Sequence, residues 1–77
     1  MLKWLLAEPP NVGEVWRDKT YSNPFTEEGK VAVQAVKDGW VQFQHLKYVG
    51  DSRMGDYGTY HTPIRPFRAG YKLIGRV

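Results

Sequence analysis

At 77 residues the chain has room for one domain and one modest core. It contains no cysteine, which excludes disulfides and thiolate metal sites and suits a reducing compartment. Its net charge of +3 is uneven: residues 1–29 hold three basic against five acidic side chains, and residues 30–77 hold eight against three.

Met1-Leu2-Lys3-Trp4-Leu5-Leu6-Ala7 is apolar but far too short to span a bilayer, and it has neither the length nor the small-residue site of a signal peptide. The expectation is a protein without a membrane span, in the cytoplasm. This first segment reads as an edge strand or short helix lying over the core. Alternatively, Trp4, Leu5 and Leu6 form an apolar patch for a partner chain. Pro9-Pro10 ends it in an extended or turn conformation, so residues 1–11 precede the main domain, 12–77.

Val12 to Arg17 reads as a strand opening with Gly13, and Trp16 is its core candidate. Asp18 to Gly29 is a long polar connection in which Thr26-Glu27-Glu28 forms at most one helical turn. Residues 30–36 and 40–48 then form a β-hairpin, which fixes inside and outside. A two-residue Asp38-Gly39 loop pairs Lys37 with Trp40 and sets Gln34 opposite Phe43. A three-residue Lys37-Asp38-Gly39 loop, with Gly39 in a G1 bulge, pairs Val36 with Trp40. One residue of slip exchanges faces. Only the three-residue loop separates them cleanly, with Val31, Val33, Ala35, Val41 and Phe43 inside and Gln34, Gln42, Gln44 and Trp40 outside.

Gly50 to Asp56 is a second long loop, in which Asp51 and Asp56 are turn formers beside glycines. Residues 57–62 form a strand. Pro63 and Pro66 exclude a regular strand over 63–68 and predict a 3₁₀ or short helical corner. Tyr71 to Val77 closes the chain as a last strand.

Five strands with a tight hairpin in the middle and a short corner before the last strand give an all-β element order that resembles the SH3-like small barrel. The Ala-Leu-Tyr-Asp-Tyr opening of signalling SH3 domains is missing, so their proline-binding aromatic set does not carry over. Three fragments, Val12-Gly13-Glu14-Val15-Trp16, Val36-Lys37-Asp38-Gly39-Trp40-Val41, and Phe67 followed by Tyr71-Lys72-Leu73-Ile74, resemble small bacteriophage and prophage proteins of unknown function. The resemblance implies an opening strand, the hairpin and a closing strand, and a phage-encoded protein working in the host cytoplasm. It implies no activity.

Catalytic chemistry finds little footing. His45, His61, Ser22 and Ser52 stand in no nucleophile motif. Asp51 and Asp56 lack the alternating acids and terminal Glu of a calcium loop. The expectation is a non-enzyme with no cofactor and no metal site. The stronger signal is the acid-free stretch from Tyr57 onward, where Arg65, Arg68, Lys72 and Arg76 interleave with Tyr57, Tyr60, His61, Phe67 and Tyr71. Cations neutralise phosphates and rings stack on unpaired bases, so Arg65, Arg68, Lys72, Arg76 and Tyr60 are the candidate nucleic-acid contacts. With Leu73 in the core, Lys72 and Arg76 would point outward together as one patch. The alternative is a protein-interaction module, or modulator of a host protein, using Trp4, Leu6, Trp40 or an exposed edge strand.

Overall fold

The computed structural model describes residues 9–21 and 28–76. Five strands, β1 (Glu14–Asp18), β2 (Lys30–Lys37), β3 (Trp40–His45), β4 (Thr59–Pro63) and β5 (Tyr71–Arg76), form one antiparallel sheet in the order β4-β3-β2-β1-β5. A 3₁₀ turn, Leu46–Tyr48, follows β3 where the sequence predicted continued strand, and α1 (Ile64–Gly70) fills the predicted corner. No ladder joins β4 to β5, so hydrogen bonding does not close the sheet into the expected barrel.

The sheet is nonetheless strongly curled. In a flat sheet, β3 and β5 would lie about 14 Å apart, three strand spacings. The rings of Phe43 on β3 and Tyr71 on β5 are 5.4 Å apart between centroids. Phe67 from α1, 1% exposed, fills the concave side and touches Trp16, Phe43 and Tyr71 at 5.0, 5.0 and 4.8 Å. Val31, Val33 and Val41 complete this core, as the alternation of the hairpin predicted. The short helix tolerates Pro66 because its third position has no intrahelical acceptor for an N–H. Both of its ends are tied down: the Ile64 N–H donates to the Gly39 carbonyl at 2.9 Å, and the Lys19 N–H donates to the Gly70 carbonyl at 3.0 Å.

The hairpin corrects the predicted turn. Asp38 and Gly39 have φ of 53° and 81°, so both central positions are left-handed, as a two-residue type I′ loop requires, and Lys37 pairs with Trp40. The predicted G1 bulge and the Val36–Trp40 pair are absent. The odd residue is Gln34, a bulge inside β2 between the pairs Val33↔Phe43 and Ala35↔Gln42. Beyond the bulge the register equals that of the three-residue loop, which keeps Val31, Val33 and Phe43 inside. Before it, Val36 takes the inward place expected for Ala35, facing Val41 and packing on the core.

The second long loop is a run of turns. The N–H groups of Val49, Asp51, Met54, Tyr57 and Thr59 donate to the carbonyls of Leu46, Tyr48, Asp51, Met54 and Asp56. Gln44, buried on the convex side of the sheet, pins this loop by donating from Nε2 to the carbonyls of Gly55 and Tyr57 at 3.1 and 2.8 Å.

Gly39→Val forces a β-branched residue into the left-handed region and is expected to lower the unfolding free energy by about 1 kcal/mol or more. Phe67→Ala empties the centre of the ring cluster and is expected to cost about 3–5 kcal/mol, a large share of a small domain's stability. Urea denaturation followed by tryptophan fluorescence measures both. A stability near wild type for Phe67→Ala would mean that α1 does not hold the sheet in its curl.

Candidate nucleic-acid interface

The end of β1, the body of α1 and the start of β5 meet at one corner. The Lys19–Gly70 backbone bond fixes that meeting. A groove of about 570 Å³ opens there, lined by Lys19, Arg68 and Lys72 with Glu14, Trp16 and Tyr71. The Arg68 guanidinium lies 5.9 Å from the Trp16 ring centroid, a cation–π distance. Three cations, from the turn after β1, from α1 and from β5, therefore border one groove with an indole and a phenol in its wall. Burial pushes the Tyr71 phenol above its usual range, and Asp18 and Tyr60 add to that rise.

The acid of the groove is internally satisfied. Glu14 is 5% exposed. Its Oε1 accepts from the Asn11 backbone N–H at 2.8 Å and from the Trp16 indole N–H at 3.2 Å. Its Oε2 accepts from the Asn11 amide at 3.3 Å and faces the Arg76 guanidinium at 3.9 Å. Burial alone pushes the Glu14 carboxyl up. The hydrogen bonds from Asn11 and Trp16, with the charge of Arg76, outweigh burial and hold it below the ordinary carboxylate value.

The five predicted contacts do not form a single patch. Arg68 and Lys72 border the groove. Arg76 is turned to Glu14 at its rim. Arg65 is exposed on α1, outside the residues lining the groove. Tyr60 lines a separate hollow near His45. The premise that Leu73 is core fails, since Leu73 is 47% exposed. A bulge at Ile74, between the pairs Val15↔Gly75 and Trp16↔Leu73, sets Arg76 opposite Glu14 and Lys72 opposite Arg17. Two positions that plain alternation puts on one face are thereby split. Sequence reasoning missed Lys19, whose signal is the pairing of the first strand with the last.

Tyr60 and the groove are nevertheless joined by rings. Tyr60 contacts Phe43 at 5.9 Å, and Phe43 leads through Tyr71 and Phe67 to Trp16. The concave side thus carries an unbroken aromatic line ending in the basic groove.

The convex side has different chemistry. His61 Nε2 meets Gln42 Oε1 at 3.2 Å, Gln42 Nε2 donates to Gln34 Oε1 at 3.1 Å, and Gln34 Nε2 donates to Gln44 Oε1 at 2.7 Å. Beside this amide ladder Trp40, 51% exposed, stands over a hollow of about 230 Å³ lined by Ala35, Lys37, Gln42 and His61. Trp40 is on the outer face as predicted, although its partner across the turn is Lys37 and not Val36. Trp4 and Leu6 lie outside the described residues.

The two histidines occupy different hollows, His45 with Tyr48 and Tyr60, His61 with Trp40. Among the described residues no group of three or more His, Asp or Glu side chains is placed to hold a metal ion, and no helix is long and apolar enough to cross a membrane. Comparison with protein-family models, with curated proteins and with solved structures gives no match.

A carboxyl held below its usual value stabilises the fold above the unfolded value, 4.5, and that contribution is lost as pH falls from 4.5 through the lower folded value. Glu14→Gln is therefore expected to be less stable than wild type at pH 7, with a gap that narrows as pH falls from 4.5 through the lower folded value. Urea midpoints measured across that range check it. A gap independent of pH would show that the carboxylate charge contributes nothing.

Proposed function

We propose that the chain is a small non-enzymatic binding protein of the phage type, built on an SH3-like framework, that binds nucleic acid through the basic groove. The observation that carries this reading is the convergence of Lys19, Arg68 and Lys72 on one concave surface with Trp16 and Tyr71 in its wall. Phosphates need cations at close spacing, and stacking needs rings beside them. Glu14 does not oppose a polyanion strongly, because Asn11, Trp16 and Arg76 already engage its oxygens. The framework is supported by the antiparallel order β4-β3-β2-β1-β5, the helix between the last two strands and the curl that brings β3 and β5 rings into contact.

A second reading, a protein partner held through Trp40, is favoured by one observation: a half-exposed indole over a mainly apolar hollow on the convex side. Trp is a frequent interface anchor. Salt separates the two readings, since phosphate binding weakens steeply with ionic strength and apolar contact does not.

Labelled single- and double-stranded oligonucleotides, titrated with wild type and with Lys19→Glu plus Lys72→Glu at several salt concentrations, test the leading reading. Three neutralised phosphates predict a slope of log affinity against log salt of about −2 on single strands, made shallower by about 0.7 for each cation removed. No binding by wild type at low salt, or an unchanged slope in the double variant, would remove the nucleic-acid reading and leave Trp40 in front.

A further inference from the structure

At the far end of the aromatic line lies a second hollow of about 260 Å³, lined by Glu28, His45, Lys47, Tyr48, Tyr57, Gly58 and Tyr60. Its rings hold one another edge to face. Tyr48 and Tyr57 are 4.9 Å apart at 89°, His45 and Tyr60 are 5.5 Å apart at 88°, and His45 and Tyr48 are 6.2 Å apart at 77°. Edge-to-face packing uses the edge of one ring and leaves faces available. Tyr57 is 59% and Tyr60 51% exposed, unusual for phenols already engaged with other rings.

Several constraints fix this arrangement. Gly58 has φ of 77°, and a Cβ there would stand 2.6 Å from Tyr48 Cδ2, so the Tyr48 ring lies directly on bare backbone and the hollow has a firm floor. The His45 N–H donates to the Gly58 carbonyl at 3.0 Å, and Gln44 holds the Tyr57 carbonyl from the other side of the sheet at 2.8 Å. Lys47 stands at the rim, 3.1 Å from Glu28 and 5.2 Å from the Tyr48 ring centroid, which directs a cation across the opening.

We infer that this hollow is a nucleobase pocket: an unpaired base of a single-stranded nucleic acid stacks on Tyr57 or Tyr60, and its backbone phosphate takes Lys47. The inference rests on the nucleic-acid reading and deepens it from polyanion binding to single-strand selection. Stacked, paired bases in a duplex cannot offer a face to these rings, whereas a single strand can. Ring contacts from Tyr60 through Phe43, Tyr71 and the buried Phe67 to Trp16 put hollow and groove on the same side of the sheet. Tyr57 is the cleanest test position because its ring contacts Tyr48 and no member of the buried core.

The experiment compares wild type, Tyr57→Ala and Tyr57→Phe, each against a fluorescein-labelled oligothymidylate, an oligouridylate and a duplex of equal length. Nuclear magnetic resonance of the tyrosine ring protons in wild type, with and without the oligothymidylate or oligouridylate, runs beside it and needs no variant. Expected are tighter binding to the single strands than to the duplex, and roughly tenfold weaker single-strand binding in Tyr57→Ala. Tyr57→Phe should retain wild-type affinity, the Tyr57→Ala salt slope should match wild type, and the Tyr57 and Tyr60 ring protons should shift upfield. Single-strand binding that keeps its salt dependence while Tyr57→Ala matches wild type and no ring proton moves would overturn the pocket and leave the basic groove standing. Equal affinity for duplex and single strand would do the same. Failure of wild type to bind any of the three oligonucleotides at low salt would overturn both the pocket and the reading beneath it.

Discussion

Phe67 is carried on a seven-residue helix between the last two strands and is buried against rings from β1, β3 and β5. That helix cannot stabilise itself at such a length. Its position comes from the Gly39 carbonyl at one end, the Lys19 N–H at the other and the Phe67 ring in between. With the helix so placed, β3 and β5 turn toward each other, Arg68 lies over Trp16, and Lys19 meets the first residues of β5. The basic groove is thus a by-product of the packing that holds the core. Losing Phe67 would dissolve the groove before any cation was altered.

Two extra residues, Gln34 and Ile74, decide which side chains share a face. In β2 the bulge lets a type I′ loop, which demands Lys37 opposite Trp40, coexist with an inward Val31, Val33 and Phe43. The apolar pattern of the hairpin was therefore legible in the sequence, but the site of the odd residue was not. A bulge at the turn and a bulge at Gln34 give the same register beyond residue 33. They differ only in whether Ala35 or Val36 faces Val41, and both are apolar. The short corner at 63–68 was legible because two prolines leave few alternatives. Leu73 pairs with Trp16 on the core side, as alternation predicts, but is half exposed because among the described residues β5 is an edge strand with β1 alone beside it; the bulge at Ile74 moves Arg76 and not Leu73.

The candidate site was legible as composition and not as geometry. An acid-free, ring-rich C-terminal stretch singled out Arg68 and Lys72, and both line the groove. Lys19 belongs to the acidic part of the chain and joins them only through the β1–β5 ladder, a pairing of residues distant in sequence. Arg76 could not be told from Lys72 without the bulge that turns it to Glu14. That pairing has its own logic. A carboxylate taken out of water needs partners on each oxygen. Glu14 finds them in Asn11, the Trp16 indole and Arg76, and in doing so it anchors the chain entering β1 and one edge of the groove.

The two sides of the sheet divide the chemistry between them. The concave side gathers rings and places a cation at each end of them, Lys47 near Tyr48 and Arg68 over Trp16. The convex side runs amide to amide from His61 to the loop bearing Tyr57, so its central polar groups satisfy one another and offer no charge to a polyanion. Trp40 stands in a hollow that shares no lining residue with the groove. A nucleic acid in the groove and an apolar partner on Trp40 have no residues in common, and sites without shared partners contribute independently. The two readings of the molecule therefore describe separate surfaces and need not exclude each other.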